Sequence, residues 1–356
     1  MMPKYIPFLK AKANEFGAIK VLEDTQKDVI APFFDLPFKK DMTADLLKKV
    51  IDGAARKFAL NMKGVSEYFV DDYDIPDNLI INGKQGYEYF AERMFAENLN
   101  FNPVVGLDRS AARQSCVFSA AIRDIAKNRR VALRVTADDL SDYRLVRSDI
   151  LDLIRKGEGV YDRWVLVIDN RVCLGADAAT RATQIASFCS AAYADHAYEG
   201  IVITGSSLPP VIGDILATNN EIHLVRNEIG IYNLAVKLIS DAKIFFGDYT
   251  VVSPNYSDSD IAPQNMLNVT APKVVYSYSQ NHYIVRGGSL KSHPRGFKQY
   301  NDIAAKIVAQ PFFRHNFSAG DLFLADKALG NGSNVMPGSI LKPTINSHIT
   351  YMISIL

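Results

Sequence analysis

The chain has 356 residues, 48% of them hydrophobic and 22% charged, with forty Lys and Arg balanced by thirty-nine Asp and Glu. A net charge of +1 argues against a protein whose main partner is a nucleic-acid backbone or an anionic membrane, and leaves room only for a local basic groove. No run approaches the roughly 18 apolar residues of a membrane span, and MMPKYIPFLKAKANEF lacks the apolar core of a signal peptide, so a cytoplasmic protein without a membrane partner is expected.

From Tyr5 onward a short apolar or aromatic run ending in a charge alternates with a helical stretch. YIPFLK, VIAPFFD, EYFVDD, NPVVGLDR, VALRV, WVLVID, GIVITGSS and KIFFGD recur about 34 residues apart, the length of one β/α unit. Helices are predicted between them. Asp41 to Leu60 is the clearest, with Leu46, Leu47, Val50, Ala54 and Phe58 as its apolar stripe and Lys48, Lys49, Arg56 and Lys57 outside. Tyr87 to Glu97, Ala111 to Lys127, Ser148 to Arg155, Ala178 to Ala197 and Asn227 to Ser240 follow. Nearly unbroken apolar strands suit burial on both faces. A Rossmann-like open sheet would need fewer units, and no GxGxxG opens a helix. The expected fold is a single-domain α/β chain, 1–356, built as a (β/α)8 TIM-like barrel.

After the eighth run a polar loop from Ser253 to Pro272 precedes VVYSYSQNHYIVRGG, a predicted hairpin turning at Gln280 and Asn281. The next helix is expected near Phe297 to Ala309, which makes 251–296 an insertion on the catalytic face. Arg286, Lys291, His293 and Arg295 would then overhang the mouth. Residues 312–356 form a C-terminal extension whose apolar end packs on the barrel. Cys116, Cys173 and Cys189 are odd in number and widely spaced, as structural thiols are.

In such a barrel chemistry sits at the C-terminal strand ends, where the closing charges fall. Lys10 and Lys12, Asp35, Asp71 with Asp72 and Asp74, Asp108 with Arg109, Arg134, Asp169, Ser206 with Ser207, and Asp248 would form one ring. Turn and cap preferences account for part of it, and a collar of structural salt bridges is the plain alternative. As a functional pocket, the carboxylates Asp35, Asp71, Asp108, Asp169 and Asp248 would hold Mg2+ or Mn2+, with Asp108, Asp169 and Asp35 catalytic. Lys10, Lys12, Arg109, Arg134, Ser206, Ser207 and Arg286 would bind an anionic small molecule or phosphodiester. Gly205, Ser206 and Ser207 occupy the seventh strand end, where many barrels cradle phosphate. Histidine-based metal binding is disfavoured, because none of the six His lies at a predicted strand end. A Schiff-base lysine at Lys10 or Lys12 and a pair of Asp working as a glycosidase couple are weaker options.

Several segments also resemble a known group. YIPFLKAKANEFGAI is similar to the opening strand and Lys-x-Lys turn of the bacteriophage and bacterial "beta protein" family, and IAPFFDLP to its second strand. PVVGLDR, YIVRGG and FSAGDLFL resemble later landmarks in the same order. Asp35 stands where Glu is common in that family. The resemblance implies a barrel-like fold and a phage or bacterial-defence setting, and no established reaction. Two functional readings follow from the residues: a metal-assisted enzyme, such as a divalent-metal-dependent hydrolase, for a phosphate-containing substrate, or a non-catalytic barrel recognising a phage or host component through Tyr283 to Arg295. Nucleic-acid binding at the same basic loop is a third.

Overall fold

Period-two alternation within each apolar run sends one set of side chains inward and the other under the helices, and that is the pattern of a closed parallel sheet. In the computed structural model, which describes residues 3–126, 129–240, 242–256 and 270–356, strands run in the order β1 (Tyr5–Lys10), β2 (Phe33–Asp35), β3 (Phe69–Asp71), β4 (Ile80–Ile81) and β5 (Lys84–Gln85). β6 (Asn102–Gly106), β7 (Arg130–Thr136), β8 (Arg163–Val172), β9 (Gly200–Ser206), β10 (Glu221–Val225) and β11 (Ile244–Asp248) continue, and β12 (Lys273–Tyr278) and β13 (Asn281–Arg286) complete the set. Eight of them close a parallel barrel in the order β1-β11-β9-β8-β7-β6-β3-β2. These are the eight predicted runs, so the TIM-like α/β barrel is the fold.

Ile6, Phe8, Phe33, Phe69, Val104, Ala132, Val165, Val167, Val202 and Tyr249 fill the barrel interior. The opposite faces pack beneath the helices. Helix Ala44–Asn61 is capped by Thr43, whose hydroxyl accepts from Leu46 N at 3.3 Å. It buries Leu47, Ile51, Ala54, Ala55 and Phe58, a stripe rotated slightly from the predicted one. The expected helix from Ala111 to Lys127 is instead two, Ala111–Val117 and Ala120–Ile125, each capped by a serine, with Lys127 outside the described residues. No helix among the described residues is long and apolar enough to cross a membrane.

The predicted hairpin forms as β12 and β13, but it is not a two-stranded appendage. β10, unpredicted, pairs antiparallel with β13 to give a three-stranded sheet. Val274, Tyr276, Tyr283 and Val285 of that sheet pack on Tyr300, Ile303, Ile307 and Leu324, a core separate from the barrel's. The helix Leu341–Ile355 buries Ile345, Ile349 and Met352 against the main core. Gly320 lets the two terminal helices meet, because a Cβ there would lie 1.9 Å from the Pro343 carbonyl oxygen. Residues 257–269 of the predicted polar loop lie outside the described residues.

Candidate functional site

Two residues beyond the apolar interior, the next inward positions carry the charges. Lys10, Asp35 and Asp71 sit side by side in the registers of β1, β2 and β3, while β7 contributes Arg134 and β8 Asp169. At the same level β6 offers only Gly106. A Cβ there would stand 2.5 Å from Arg109 Nη1, so the glycine opens a slot into which the Arg109 guanidinium folds.

Arg134 is the centre of this layer. Its Nη1 donates to Asp35 Oδ1 and Asp71 Oδ2, each at 2.7 Å. Nη2 and Nε donate to Asp169 Oδ2 at 2.6 and 3.1 Å. Nη2 also donates to the Tyr249 hydroxyl at 2.7 Å, and that hydroxyl donates to Asp169 Oδ2 at 2.6 Å. Arg109 Nη2 spans both oxygens of Asp71 at 2.7 and 2.6 Å, and Lys10 Nζ donates to Asp35 at 3.2 Å and to Asp74 at 2.6 Å. Above, the Arg134 and Arg171 guanidinium carbons each lie 4.4 Å from the ring centre of Tyr73. Burial opposes ionisation of Asp35 and Asp71, but Arg134 with Lys10, and Arg109 with Arg134, hold both carboxyls below their ordinary range.

Six residues predicted for the site, Lys10, Asp35, Asp71, Arg109, Arg134 and Asp169, therefore form one network. The expected Mg2+ or Mn2+ does not fit it. A guanidinium occupies the space among Asp35, Asp71 and Asp169 that a divalent ion would need, and among the described residues no three His, Cys, Asp or Glu side chains are arranged to hold a metal. Asp108 is 48% exposed on the rim, where it pairs with Arg109. Asp248 faces the other side of the sheet, because the pleat turns its neighbour Tyr249 inward. There Asp248 accepts from the Tyr5 hydroxyl at 2.5 Å, from Arg226, and from His348 Nε2 at 3.0 Å.

That last contact begins a buried chain. Ser277 Oγ lies 2.6 Å from His348 Nδ1 and 3.0 Å from His282 Nδ1. Carboxylate, imidazole and hydroxyl line up as in a hydrolase triad. Yet all four side chains are at most 2% exposed, so no substrate reaches Ser277 in this conformation. Burial lowers the pKa of both imidazoles, with Arg226 adding to it, against the pull of Asp248.

The hydroxyls at the expected phosphate cradle on β9 are also committed elsewhere. Ser206 Oγ donates to the Val252 carbonyl at 3.1 Å, and Ser207 Oγ donates to Glu228 at 2.6 Å while accepting from Asn227 N at 2.7 Å. Pro209 and Pro210 follow and carry no N–H groups. Arg286 donates to the Leu216 carbonyl rather than pointing into the mouth. In the proposed recognition segment, Tyr283 is core, Arg295 pairs with Asp302 on the surface, and His293 Nδ1 accepts from Arg295 N at 3.2 Å.

Open space lies beside the ring. A cavity of about 360 Å3 runs between the ends of β1, β9 and β11, walled by Leu208, Pro209, Pro210, Val251 and Val275 and carrying Lys10, Lys12, Glu15, Tyr256 and Lys273. Lys10 and Lys12 place Nζ 4.8 and 4.9 Å from the Tyr256 ring centre. Glu15 is 4% exposed, and its Oε2 has no hydrogen-bond partner. Burial raises the Glu15 pKa despite Lys12, and crowding by the cavity wall lowers that of Lys12 even though its side chain reaches solvent. The same crowding, with Arg286 across the hairpin, lowers Lys273.

A family model described as Beta protein matches residues 5–354. The chain belongs to the Beta protein family. No curated protein is significantly similar to it. In this Beta protein, sequence reasoning reached Lys10 and Lys12 but missed Glu15, Tyr73, Arg171, Tyr249 and Tyr256. Glu15 had a signal: it lies one turn before Ile19, a charge on the apolar stripe of a short helix. Arg171 had none, since its left-handed backbone, φ 50°, is set by the irregular pairing of β8 with β9 beyond Asp169.

Proposed function

We propose that this Beta protein is an enzyme acting on a small phosphate-bearing molecule in the mouth cavity, by acid–base chemistry at Lys12 and Glu15 rather than through a metal held by the ring. The observation that carries this reading is the contrast in pairing. Every ring carboxylate meets an Arg or Lys, whereas Lys12, Glu15 and Lys273 line the cavity without an ion pair among the described residues. Unpaired cations in a concave, largely apolar pocket suit an anionic ligand, which supplies the missing partner on binding. Burial of Glu15 and crowding of Lys12 favour the neutral form of each, the direction that proton exchange between them calls for. A phage or bacterial-defence setting and a cytoplasmic location belong to the same proposal.

Titration calorimetry with pyrophosphate, sugar phosphates and nucleoside monophosphates tests it. Phosphate-bearing ligands should bind and raise the unfolding temperature, and Lys273→Ala should weaken binding by about tenfold, the loss of one charge-assisted contact. No binding of any of these ligands, or equal binding to Lys273→Ala, overturns the assignment of this cavity.

A further inference from the structure

Three lysines border the cavity, and they are not equivalent. Lys10 holds its ammonium between Asp35 and Asp74, at 3.2 and 2.6 Å, so its nitrogen pair is tied up in a proton that both carboxylates retain. Lys273 sits in register opposite Arg286 on the hairpin, and the guanidinium behind it keeps that corner positive. Lys12 has no hydrogen bond or ion pair among the described residues, and its Nζ lies 4.9 Å from the centre of the Tyr256 ring. One turn along stands Glu15, whose Oε2 is buried and unpartnered in the same cavity.

We propose that Lys12 is a covalent nucleophile that forms an imine with the carbonyl carbon of the bound substrate, with Glu15 relaying the protons. This deepens the proposed function and rests on it: the substrate class becomes a phosphate-bearing aldehyde or ketone, its phosphate held at the Lys273 corner. The step balances without a redox partner. Nζ, as the free amine, forms the C–N bond while the carbonyl π pair moves to oxygen. The amine's two protons then pass through Glu15 to that oxygen, the C–O bond breaks, and water leaves. Glu15 returns to its starting state. The imine withdraws electrons from the adjacent carbon, which is what makes a neighbouring C–H or C–C bond breakable. Lys12 Nζ stands beside the Tyr256 ring at the cavity edge, where crowding favours its free amine, and the apolar walls of Leu208, Pro209 and Val251 keep hydrolysis of the adduct slow.

Pyridoxal 5′-phosphate, an aldehyde carrying phosphate, is the probe. The full-length protein is incubated with it at pH 7, reduced with borohydride, and mapped by peptide mass spectrometry. Lys12 should be labelled about tenfold faster than exposed Lys4 and Lys20, because a phosphate held at the Lys273 corner of the same cavity positions the aldehyde beside the Lys12 amine. Inorganic phosphate should protect it. Lys12→Arg, which keeps the charge, should abolish the label, and Glu15→Gln should slow imine growth by about 100-fold while phosphate binding persists. Labelling of Lys12 no faster than Lys4 and Lys20, or a rate unchanged in Glu15→Gln, overturns the proposal. If phosphate still binds in that case, the cavity keeps its anion-binding role and only the covalent step falls; if phosphate does not bind either, both fall.

Discussion

The ring and the cavity share Lys10 and a mouth, yet they treat charge in opposite ways. In the ring three buried carboxylates surround one guanidinium, and each oxygen that faces inward has a donor. In the cavity a buried carboxylate oxygen has none, and Lys12 and Lys273 make no ion pair among the described residues. A network that satisfies itself has little to offer a ligand and much to lose if broken. Groups held apart from partners cost stability in the free protein and gain it back on binding.

The largest effect expected from this contrast is at Arg134. Arg134→Met fills similar volume but leaves Asp35, Asp71 and Asp169 facing each other in a site that is 0–1% exposed, so stability should fall by about 3–5 kcal/mol in urea denaturation. Arg130 is the internal control. It lies four residues earlier on the same inward face of β7 and pairs with Glu67 and Glu199, but those carboxylates reach water, being 12% and 21% exposed. Arg130→Met should therefore cost clearly less. Equal losses at the two ends of the strand would mean that the ring is an ordinary surface collar.

The next effect is the response to acid. His282 and His348 have depressed native pKa values, so the unfolded chain takes up protons first as pH falls below about 6.5 and stability declines from there. Asp35 and Asp71 are also depressed; their contribution is intact above about 3.9 and is lost as pH falls through their lower native values. Two descending stages should appear in the denaturation midpoint, the first below about pH 6.5 and the second starting below about pH 4 and continuing to the acid limit of the titration. A flat profile from pH 7 to 5 would show that the histidines are solvated.

A smaller change of opposite sign belongs to Glu15. Its native pKa is raised, so its favourable contribution exists below about 4.3 and disappears as pH rises through the native value. At neutral pH the carboxylate is a liability, and Glu15→Gln should stabilise the protein by on the order of 1 kcal/mol while impairing chemistry in the cavity. Destabilisation at pH 7 would show that Glu15 is a structural residue paired in solution.

Much of this was legible in the chain. Strands buried on both faces must be uninterrupted apolar runs, so the eight barrel strands could be read almost residue by residue, and the inward runs of β1, β2, β3, β7 and β8 ended on charged members of the ring. What local periodicity could not show was parity and distance. KIFFGDY ends on two polar residues, and only the register with β1 decides that Tyr249, not Asp248, points inward. β10 has the alternation of an edge strand, but its partner lies some sixty residues later in β13. The cavity is assembled from five separated segments, none of which carries a motif.

The smallest expected effect is at Asp108, and it separates nearness in sequence from membership in space. GLDR places Asp108 beside Arg109, and a ring read from strand ends must include both. In the fold Gly106 admits only the arginine: Arg109 turns inward to grip both oxygens of Asp71, while Asp108 stays on the rim at 48% exposure. Water screens its pairing with Arg109, and Asp71 holds that guanidinium without it. Asp108→Ala should therefore shift stability by less than about 0.5 kcal/mol and leave phosphate binding unchanged, as calorimetry on the variant would register. A large loss would require Asp108 to orient Arg109 for the whole ring, and the line between the self-satisfied network and its solvated rim would have to be redrawn one residue further out.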